Sequence, residues 1–339
     1  MSELKVAVLG AGILGARHAR VFSEHPDCNT VAIIDINEKR ANSLAGQLDA
    51  KVFTNLDNAW EDDFDILVVA TPDHLHCKPV VEAVRRGKHV FVEKPLATTL
   101  QDADEMVAAT ALAKTTVMIN FSQRFVPEFA TIKKLLMEDT IGEVAMILSN
   151  KYNTIYVPTE MIGWAAKTSP FMFMSSHDLD LAHWYAGVDP VEVTAQDRYG
   201  VLKARDIPVH DGLNVLMQFG DSISANFHAS WIYPKSYPAL GHGTMEIIGS
   251  DGLIKIDISK RLLEVYGRKN SYEQVFSGFS TVEEEDGRLV GAFSASVAEF
   301  IDCIRTGREP ATSPRFCMPV ARAQFAALEA LKTGTVVRI

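Results

Sequence analysis

The sequence predicts an α/β protein. A doubly wound parallel sheet occupies residues 1–122, and an α/β region built on a mostly antiparallel sheet occupies residues 123–339. Three observations carry this. From Lys5 to Asn120, short apolar runs alternate with amphipathic helical stretches, the pattern of repeated β-α-β units. A glycine-rich turn follows the first run at once. Beyond Val191 the pattern changes to successive strands separated by turn residues, with no helical stretch between them.

A chain of 339 residues exceeds what one core usually serves, so two domains are expected. Hydrophobic content of 47% and charged content of 22% are those of a globular protein. The net charge of −10 disfavours nucleic acid and anionic membranes as partners. Cys28, Cys77, Cys303 and Cys317 have neither paired nor metal-like spacing, and read as free thiols of a cytoplasmic protein. The opening Met-Ser-Glu-Leu-Lys does not read as a signal peptide, and no apolar run approaches the roughly 20 residues that span a bilayer. The charge run Glu283–Asp286 reads as a solvated loop.

The first strand, Lys5–Leu9, runs into Gly10-Ala11-Gly12-Ile13-Leu14-Gly15, and a helical pattern follows to about Glu24. This is G-x-G-x-x-G in a strand–turn–helix setting. The first glycine permits the tight turn, the second a close approach of backbone to a pyrophosphate, and the third close helix–strand packing. Val31–Ile34 is a second buried run. It ends in Asp35, twenty residues past Gly15, where an acid is expected to meet ribose hydroxyls. A carboxylate there would repel a 2′-phosphate, so NAD is favoured over NADP, although the nearby Arg40 could soften the preference.

Alternation continues through a strand at Lys51–Phe53 and a buried strand at Ile66–Ala70. Thr71-Pro72-Asp73-His74-Leu75-His76 and a helix to about Arg86 come next, then a strand at Lys88–Val92 that ends in Glu93-Lys94-Pro95. A helix capped by Thr98 or Thr99 and a strand at Thr116–Asn120 complete the set. In a doubly wound sheet, ligands bind at the carboxyl ends of the strands. Gly10–Gly15, Asp35, Thr71–His76, Glu93–Pro95 and Asn120–Arg124 therefore face one crevice. A lysine at such a strand end, in a chain with a dinucleotide fingerprint, is a candidate catalytic group.

In the second half, Pro127–Met137 reads as a helix and Val144–Asn153 as a strand. Ile162–Pro170 reads as a loop, and Phe171–Trp184 as one helix with Ser175-Ser176-His177-Asp178-Leu179-Asp180 at its centre. Strands are expected at Val191–Tyr199, Leu213–Phe219, Ile223–Trp231, Met245–Gly249, Leu253–Ile258 and Leu262–Tyr266. Helices at Ser294–Thr306 and Arg315–Lys332 and a short tail strand close the chain.

The fingerprint, the TPDHLH turn, EKPLA and NFSQRF together resemble the glucose–fructose oxidoreductase / inositol dehydrogenase family (Gfo/Idh/MocA). The resemblance covers essentially the whole chain. It implies an N-terminal Rossmann domain that binds NAD and a C-terminal α/β domain with a large open sheet. It also implies a cis Lys94–Pro95 peptide, and assembly as a homodimer or homotetramer through that sheet. The implied activity is NAD-dependent oxidoreduction of a CH–OH group on a sugar, cyclitol or sugar derivative. On this reading the cofactor residues are Gly10, Gly12, Ile13, Leu14, Gly15, Asp35, Ile36, Arg40, Thr71, Pro72, His74, His76, Glu93, Lys94 and Gln123.

Hydride transfer from a secondary alcohol needs a base for the hydroxyl proton and stabilisation of charge on the oxygen, while the cofactor supplies the electron sink. Lys94 is the candidate for the oxygen. His177 is the candidate acid or base, since an imidazole titrates near neutral pH. Candidate substrate contacts are Lys94, Arg124, Tyr152, Trp164, Ser176, His177 and Asp180, with Lys167, His228, Tyr233 and His242 further out. Trp164 could stack on a sugar face but reads more readily as packing, and His183 reads as structural. The spacing of His, Cys, Asp and Glu suggests no metal site.

One departure stands out. Relatives in this family usually carry an aspartate four residues before the histidine, after a glycine pair. Here Phe173 occupies that position, and Ser169-Pro170 replaces the glycines. Asp178 or Asp180 could take over part of the role, or Lys94 and His177 could suffice. Alternatively the chain binds NAD without turning it over, as a sensor or regulatory protein. A same-fold reductase of a non-sugar carbonyl is a further alternative.

Overall fold

The computed structural model describes residues 3–276 and 283–339. The first half runs β1 (Leu4–Leu9), α1 (Ile13–Glu24), β2 (Cys28–Ile34), α2 (Glu38–Ala45), β3 (Lys51–Phe53), α3 (Leu56–Ala59), β4 (Ile66–Val69), α4 (Cys77–Arg85), β5 (His89–Glu93), α5 (Leu100–Ala111) and β6 (Val117–Asn120). There follow α6 (Pro127–Met137), β7 (Val144–Thr154), α7 (Pro170–Phe173), α8 (Ser176–Ala186), β8 (Pro190–Arg198), β9 (Gly212–Phe219), β10 (Ile223–Tyr233), β11 (Gly241–Gly249), β12 (Gly252–Asp257), β13 (Leu262–Tyr266) and β14 (Ser271–Val275). The chain closes with β15 (Glu283–Glu285), β16 (Arg288–Val290), α9 (Ala292–Thr306), α10 (Pro314–Thr333) and β17 (Val337–Arg338).

These elements form two compact units, Met1–Val126 with Phe279–Met318, and Pro127–Gly278 with Pro319–Ile339. The sheet of the first unit has the order β3-β2-β1-β4-β5-β6 and is parallel throughout. The chain reverses direction of travel across the sheet between β1 and β4, which opens a crevice outside their carboxyl ends. Its strands are apolar without alternation because helices cover both faces; Ile66–Val69 is buried at every position. The late helix α9 belongs to this unit. Phe293, Val297, Phe300 and Ile301 join Val8, Phe22, Ile33 and Phe91 in one core, with Phe300 edge-on to both Phe22 and Phe91.

The second unit carries a nine-stranded sheet of order β14-β13-β12-β11-β7-β10-β9-β8-β17. It is antiparallel except where β10 runs parallel to β7. Its strands alternate, as a sheet with one covered face should; β10 reads buried at Ala225, Phe227, Ala229 and Trp231 and more open at the residues between. The buried side faces α7 and α8, with Phe171 against Phe227.

Three expectations need correction. The helix expected over Phe171–Trp184 is two helices, broken at Met174-Ser175: Ser169 caps the start of the first, and Ser175 stands at the start of the second without a side-chain capping bond. The strand β14 and the hairpin β15–β16 lacked an apolar run to announce them. The acidic run is therefore a strand rather than a loop: Glu285 pairs with Arg288 in register, and Arg20 donates to Glu284 at 3.0 Å. Thr99, one of two expected caps, does cap α5, accepting from the Asp102 amide at 3.1 Å.

Candidate active site

The turn after β1 is built as its glycines require. Gly10 sits at φ +100°, in the left-handed region, and a methyl there would fall 2.6 Å from the Ala70 carbonyl oxygen. A methyl at Gly15 would fall 1.7 Å from Gly10 O, so the third glycine closes the turn on itself as much as it packs helix against strand. A methyl at Gly12 would meet nothing within 4 Å, so this position opens onto free space.

Asp35 continues β2 and is buried. Its Oδ2 accepts the Ala11 amide and its Oδ1 the Asn37 amide, each at 2.7 Å, which ties the glycine turn to the end of β2. A carboxylate has lone pairs to spare after two such bonds. Arg40 Nη1 lies 3.9 Å from Asp35 Oδ2. Asn37, not Asp35, caps α2, accepting from the Arg40 amide. Ile36, 94% exposed, and Ile13 present apolar surface on either side of Asp35 and the turn. Leu14 is half-buried and joins the core of the first unit.

At the end of β4, Thr71 and Pro72 are half-buried, and His74 sits in a short 3-10 turn, Asp73–Leu75. His76 is fully buried, its ring nitrogens each 3.1 Å from a carbonyl oxygen, Pro95 O and Thr71 O. Its ring therefore joins two crevice turns and offers no surface of its own. The Lys94–Pro95 peptide is cis, as the resemblance implies. Burial pushes the Asp73 carboxyl up, with the Lys94 charge the largest opposing influence. Glu93 is buried, and Oε1 accepts from His18 at 2.6 Å and from the Asn120 amide group at 2.9 Å. Burial alone would raise the Glu93 carboxyl, but the His18 contact, Lys94 and Asn120 together hold it below its usual range. Gln123 and Arg124 lie in the 3-10 turn after β6, and Arg124 Nη1 donates to Ala311 O at 3.4 Å.

These residues fit a dinucleotide. Among the described residues no side chain caps the N-terminus of α1, and no acid lies in its first turn, so its amides and partial positive charge are available to a pyrophosphate. At the other end of the crevice, buried Thr71 Oγ1, Asn120 Oδ1 and Gln123 Oε1 have no hydrogen-bond partner among the described residues. Buried polar atoms of this kind call for a ligand's donors and acceptors.

In the second unit, Ser176, His177 and Asp180 lie in the first turns of α8. Ser176 and Asp180 are buried, whereas His177 is partly open. Phe173 is half-buried, edge-on to Trp164 at 5.7 Å and tilted against Trp231 at 6.3 Å. Trp164 is thus packed, with part of its surface open. Asp178 is committed to an ion pair with Lys151, Nζ to Oδ1 3.0 Å. Burial pushes its carboxyl up despite that partner. His183 pairs with Asp189 at 2.8 Å, in keeping with a structural role.

Tyr152 is separated from this group. Its neighbour Lys151 reaches α8, so the pleat of β7 turns Tyr152 to the other face of the sheet. There its hydroxyl meets His228 Nδ1 at 2.8 Å and Asn150 Oδ1 at 3.2 Å, and its ring stacks on Tyr233 at 4.7 Å. His242 stacks on the same ring at 6.3 Å. Lys167 closes a short 3-10 turn after Trp164. Sequence reasoning passed over His18, whose place in an amphipathic helix reads as surface. Its only signal was a partner 75 residues away. The described residues contain no group of His, Cys, Asp and Glu arranged to hold a metal.

The fold and the crevice define an oxidoreductase with an NAD-binding Rossmann domain. A family model described as "Oxidoreductase family, NAD-binding Rossmann fold" matches residues 4–121, and its companion, "Oxidoreductase family, C-terminal alpha/beta domain", matches residues 133–339. The chain belongs to this family, Gfo/Idh/MocA. It is 30% identical over 297 residues to 2,7-anhydro-N-acetylneuraminate hydratase of Mediterraneibacter gnavus, covering 85% of this chain and 76% of that one. It is 26% identical over 317 residues to inositol 2-dehydrogenase of Rhizobium meliloti, covering 91% of each. Among solved structures, an oxidoreductase domain protein from Kribbella flavida shares the fold with a TM-score of 0.87 at 22% identity, covering 100% of both chains.

Proposed function

We propose that this chain is an NAD(H)-dependent dehydrogenase or reductase that interconverts a secondary alcohol and a ketone on a sugar, cyclitol or sugar derivative. The observation that carries this is the single crevice of the first unit. It has an uncapped helix and Asp35 at one end, and Lys94 with unpartnered Thr71 and Asn120 oxygens at the other. The names of the inositol dehydrogenase and sugar-derivative relatives support the substrate class.

In this reading residues 1–122 bind NAD, with Asp35 on the adenosine ribose and the turn Gly10–Gly15 on the pyrophosphate. Thr71, Pro72, His74, Glu93 and Gln123 define the nicotinamide end. When bound, NAD supplies the hydride acceptor, and NADH the donor. The Lys94 ammonium donates a hydrogen bond to the substrate oxygen and stabilises the negative charge that grows there. One ring nitrogen of His177 takes the hydroxyl proton in oxidation and returns it in reduction. Arg124, Trp164, Ser176 and Asp180 orient the substrate. Residues 123–339 carry substrate binding and self-association as a dimer or tetramer. Exposed Met146, Leu216 and Tyr266 on the uncovered face of the large sheet support the latter. The cytoplasm is the proposed compartment, in keeping with cysteines that form no disulfide among the described residues.

The test is turnover, followed by NADH absorbance, on a panel of myo-inositol, scyllo-inositol, aldoses, sugar acids and 2,7-anhydro-N-acetylneuraminate, with wild type and Lys94→Met. Lys94→Met is expected to abolish turnover and leave NAD binding nearly intact. Unchanged turnover in that variant would sink the role of Lys94. Tight NAD binding with no turnover of any panel member would favour a sensor.

A further inference from the structure

We propose that His18 and Asn120 are positioning residues. They pin Glu93 from two sides and thereby hold Lys94, coupling the helix at the pyrophosphate end of the crevice to the proposed reacting end. This rests on the assignment of Lys94 to the substrate oxygen.

The three residues come from three elements. His18 lies on α1, one turn beyond the glycine turn. Glu93 ends β5, and Asn120 ends β6 directly opposite it in register. All are buried, at 0%, 6% and 1% exposure. Both donors converge on the same oxygen, Oε1, at 2.6 and 2.9 Å. The His18 ring is held between Phe91, edge-on at 5.2 Å, and Phe293, tilted at 5.0 Å. It cannot turn away without opening the core of the first unit.

A carboxylate in such surroundings stays charged only because its hydrogen bonds are made. Glu93 is therefore bound on the core side and is not free to act as a base on substrate. What it offers is a fixed negative charge one residue before Lys94, and the two charges interact. The chain enters the Lys94–Pro95 turn from a strand end that α1 and β6 both hold. The far side of that turn is held by His76 through Pro95 O. Small displacements matter at a reacting centre, where about 1 Å can cost ~10²-fold in rate.

The test compares wild type, His18→Leu, His18→Gln, Asn120→Leu and Lys94→Met. Three quantities are read: kcat on whichever panel compound wild type turns over fastest, Kd for NAD by tryptophan fluorescence, and the rate at which Lys94 of the NAD-free protein is acylated, followed by mass spectrometry. His18→Leu is expected to lower kcat by roughly 10²-fold while Kd for NAD changes less than about threefold, whereas Asn120→Leu, which also removes the unpartnered Oδ1, is expected to lower kcat and weaken NAD binding together. Acylation of Lys94 is expected to accelerate several-fold as the strand end that carries it loosens. Gln at position 18 keeps an N–H donor and is expected to recover most of kcat. If His18→Leu fails to fold, His18→Asn, whose amide is too short to reach Glu93, carries the same expectations. Unchanged kcat and acylation in His18→Leu, beside a dead Lys94→Met, would overturn the coupling and leave the role of Lys94 standing. Full activity in Lys94→Met would remove both. A loss that His18→Gln does not relieve, accompanied by lost NAD binding, would reduce His18 to a structural residue.

Discussion

Lys151 and Asp178 form a buried ion pair, Nζ to Oδ1 3.0 Å, at the foot of the helix that carries His177. The side chains are 15% and 4% exposed, so removing one partner leaves the other charge without water or counter-charge. Lys151→Met is expected to cost about 3–5 kcal/mol in urea unfolding of the second unit. Burial already holds the Asp178 carboxyl above its ordinary 3.8. An acid whose folded pKa is raised destabilises the fold above that pKa and ceases to do so below the unfolded value. The deficit of Lys151→Met is therefore expected to shrink as pH falls toward 4. A deficit independent of pH would show that Asp178 is not its source.

Asp35 does two things, and one substitution separates them. Asp35→Ser removes the charge that would repel a 2′-phosphate, so the ratio of NAD to NADP affinity is expected to fall at least tenfold. It also weakens the bonds to the Ala11 and Asn37 amides, at a cost of about 1–2 kcal/mol in stability. An NAD preference equal to or stronger than wild type would count against Asp35 as the selector.

The second and third glycines of the turn make opposite predictions. Gly12→Ala meets no atom of the described residues within 4 Å and sits at φ −76°, which alanine adopts, so stability should stay within about 0.5 kcal/mol. NAD binding should nevertheless weaken tenfold or more, because the methyl occupies space reserved for the pyrophosphate. Gly15→Ala places a methyl 1.7 Å from Gly10 O and should lower the melting temperature as well. Calorimetry on both variants with and without NAD distinguishes a protein clash from a ligand clash.

The thiols should be silent in the folded protein. Burial pushes Cys28 and Cys77 up to about 12 and Cys303 up to about 11. At pH 8 these three should react with Ellman's reagent roughly 10²-fold or more slowly than a free thiol, and promptly in denaturant. Fast reaction of Cys28 in the native protein would show that its strand frays.

Much of the first unit was legible in the sequence because its parallel strands are unbroken apolar runs. Ile66–Val69 and Val90–Val92 cannot be read otherwise. The glycine turn and Asp35 were legible because their spacing follows from backbone geometry. The break at Met174-Ser175 was not, since both sides keep a helical period and Ser175 begins the second helix without a side-chain capping bond to announce it. The face taken by Tyr152 depends on pleat and register, which a one-residue shift reverses. The pairing of His18 with Glu93 spans 75 residues and leaves no local trace.

The placement of α9 in the first unit has a consequence for synthesis on the ribosome. Phe22 and Phe91 leave the exit tunnel early, yet Phe293 and Phe300, which share their core, are made about 200 residues after Phe91. At about 5–20 residues per second, the nascent nucleotide-binding half waits on the order of 10–30 s with an apolar face uncovered. A fragment ending at Val126 should therefore be prone to aggregate and dependent on chaperones, however complete its parallel sheet.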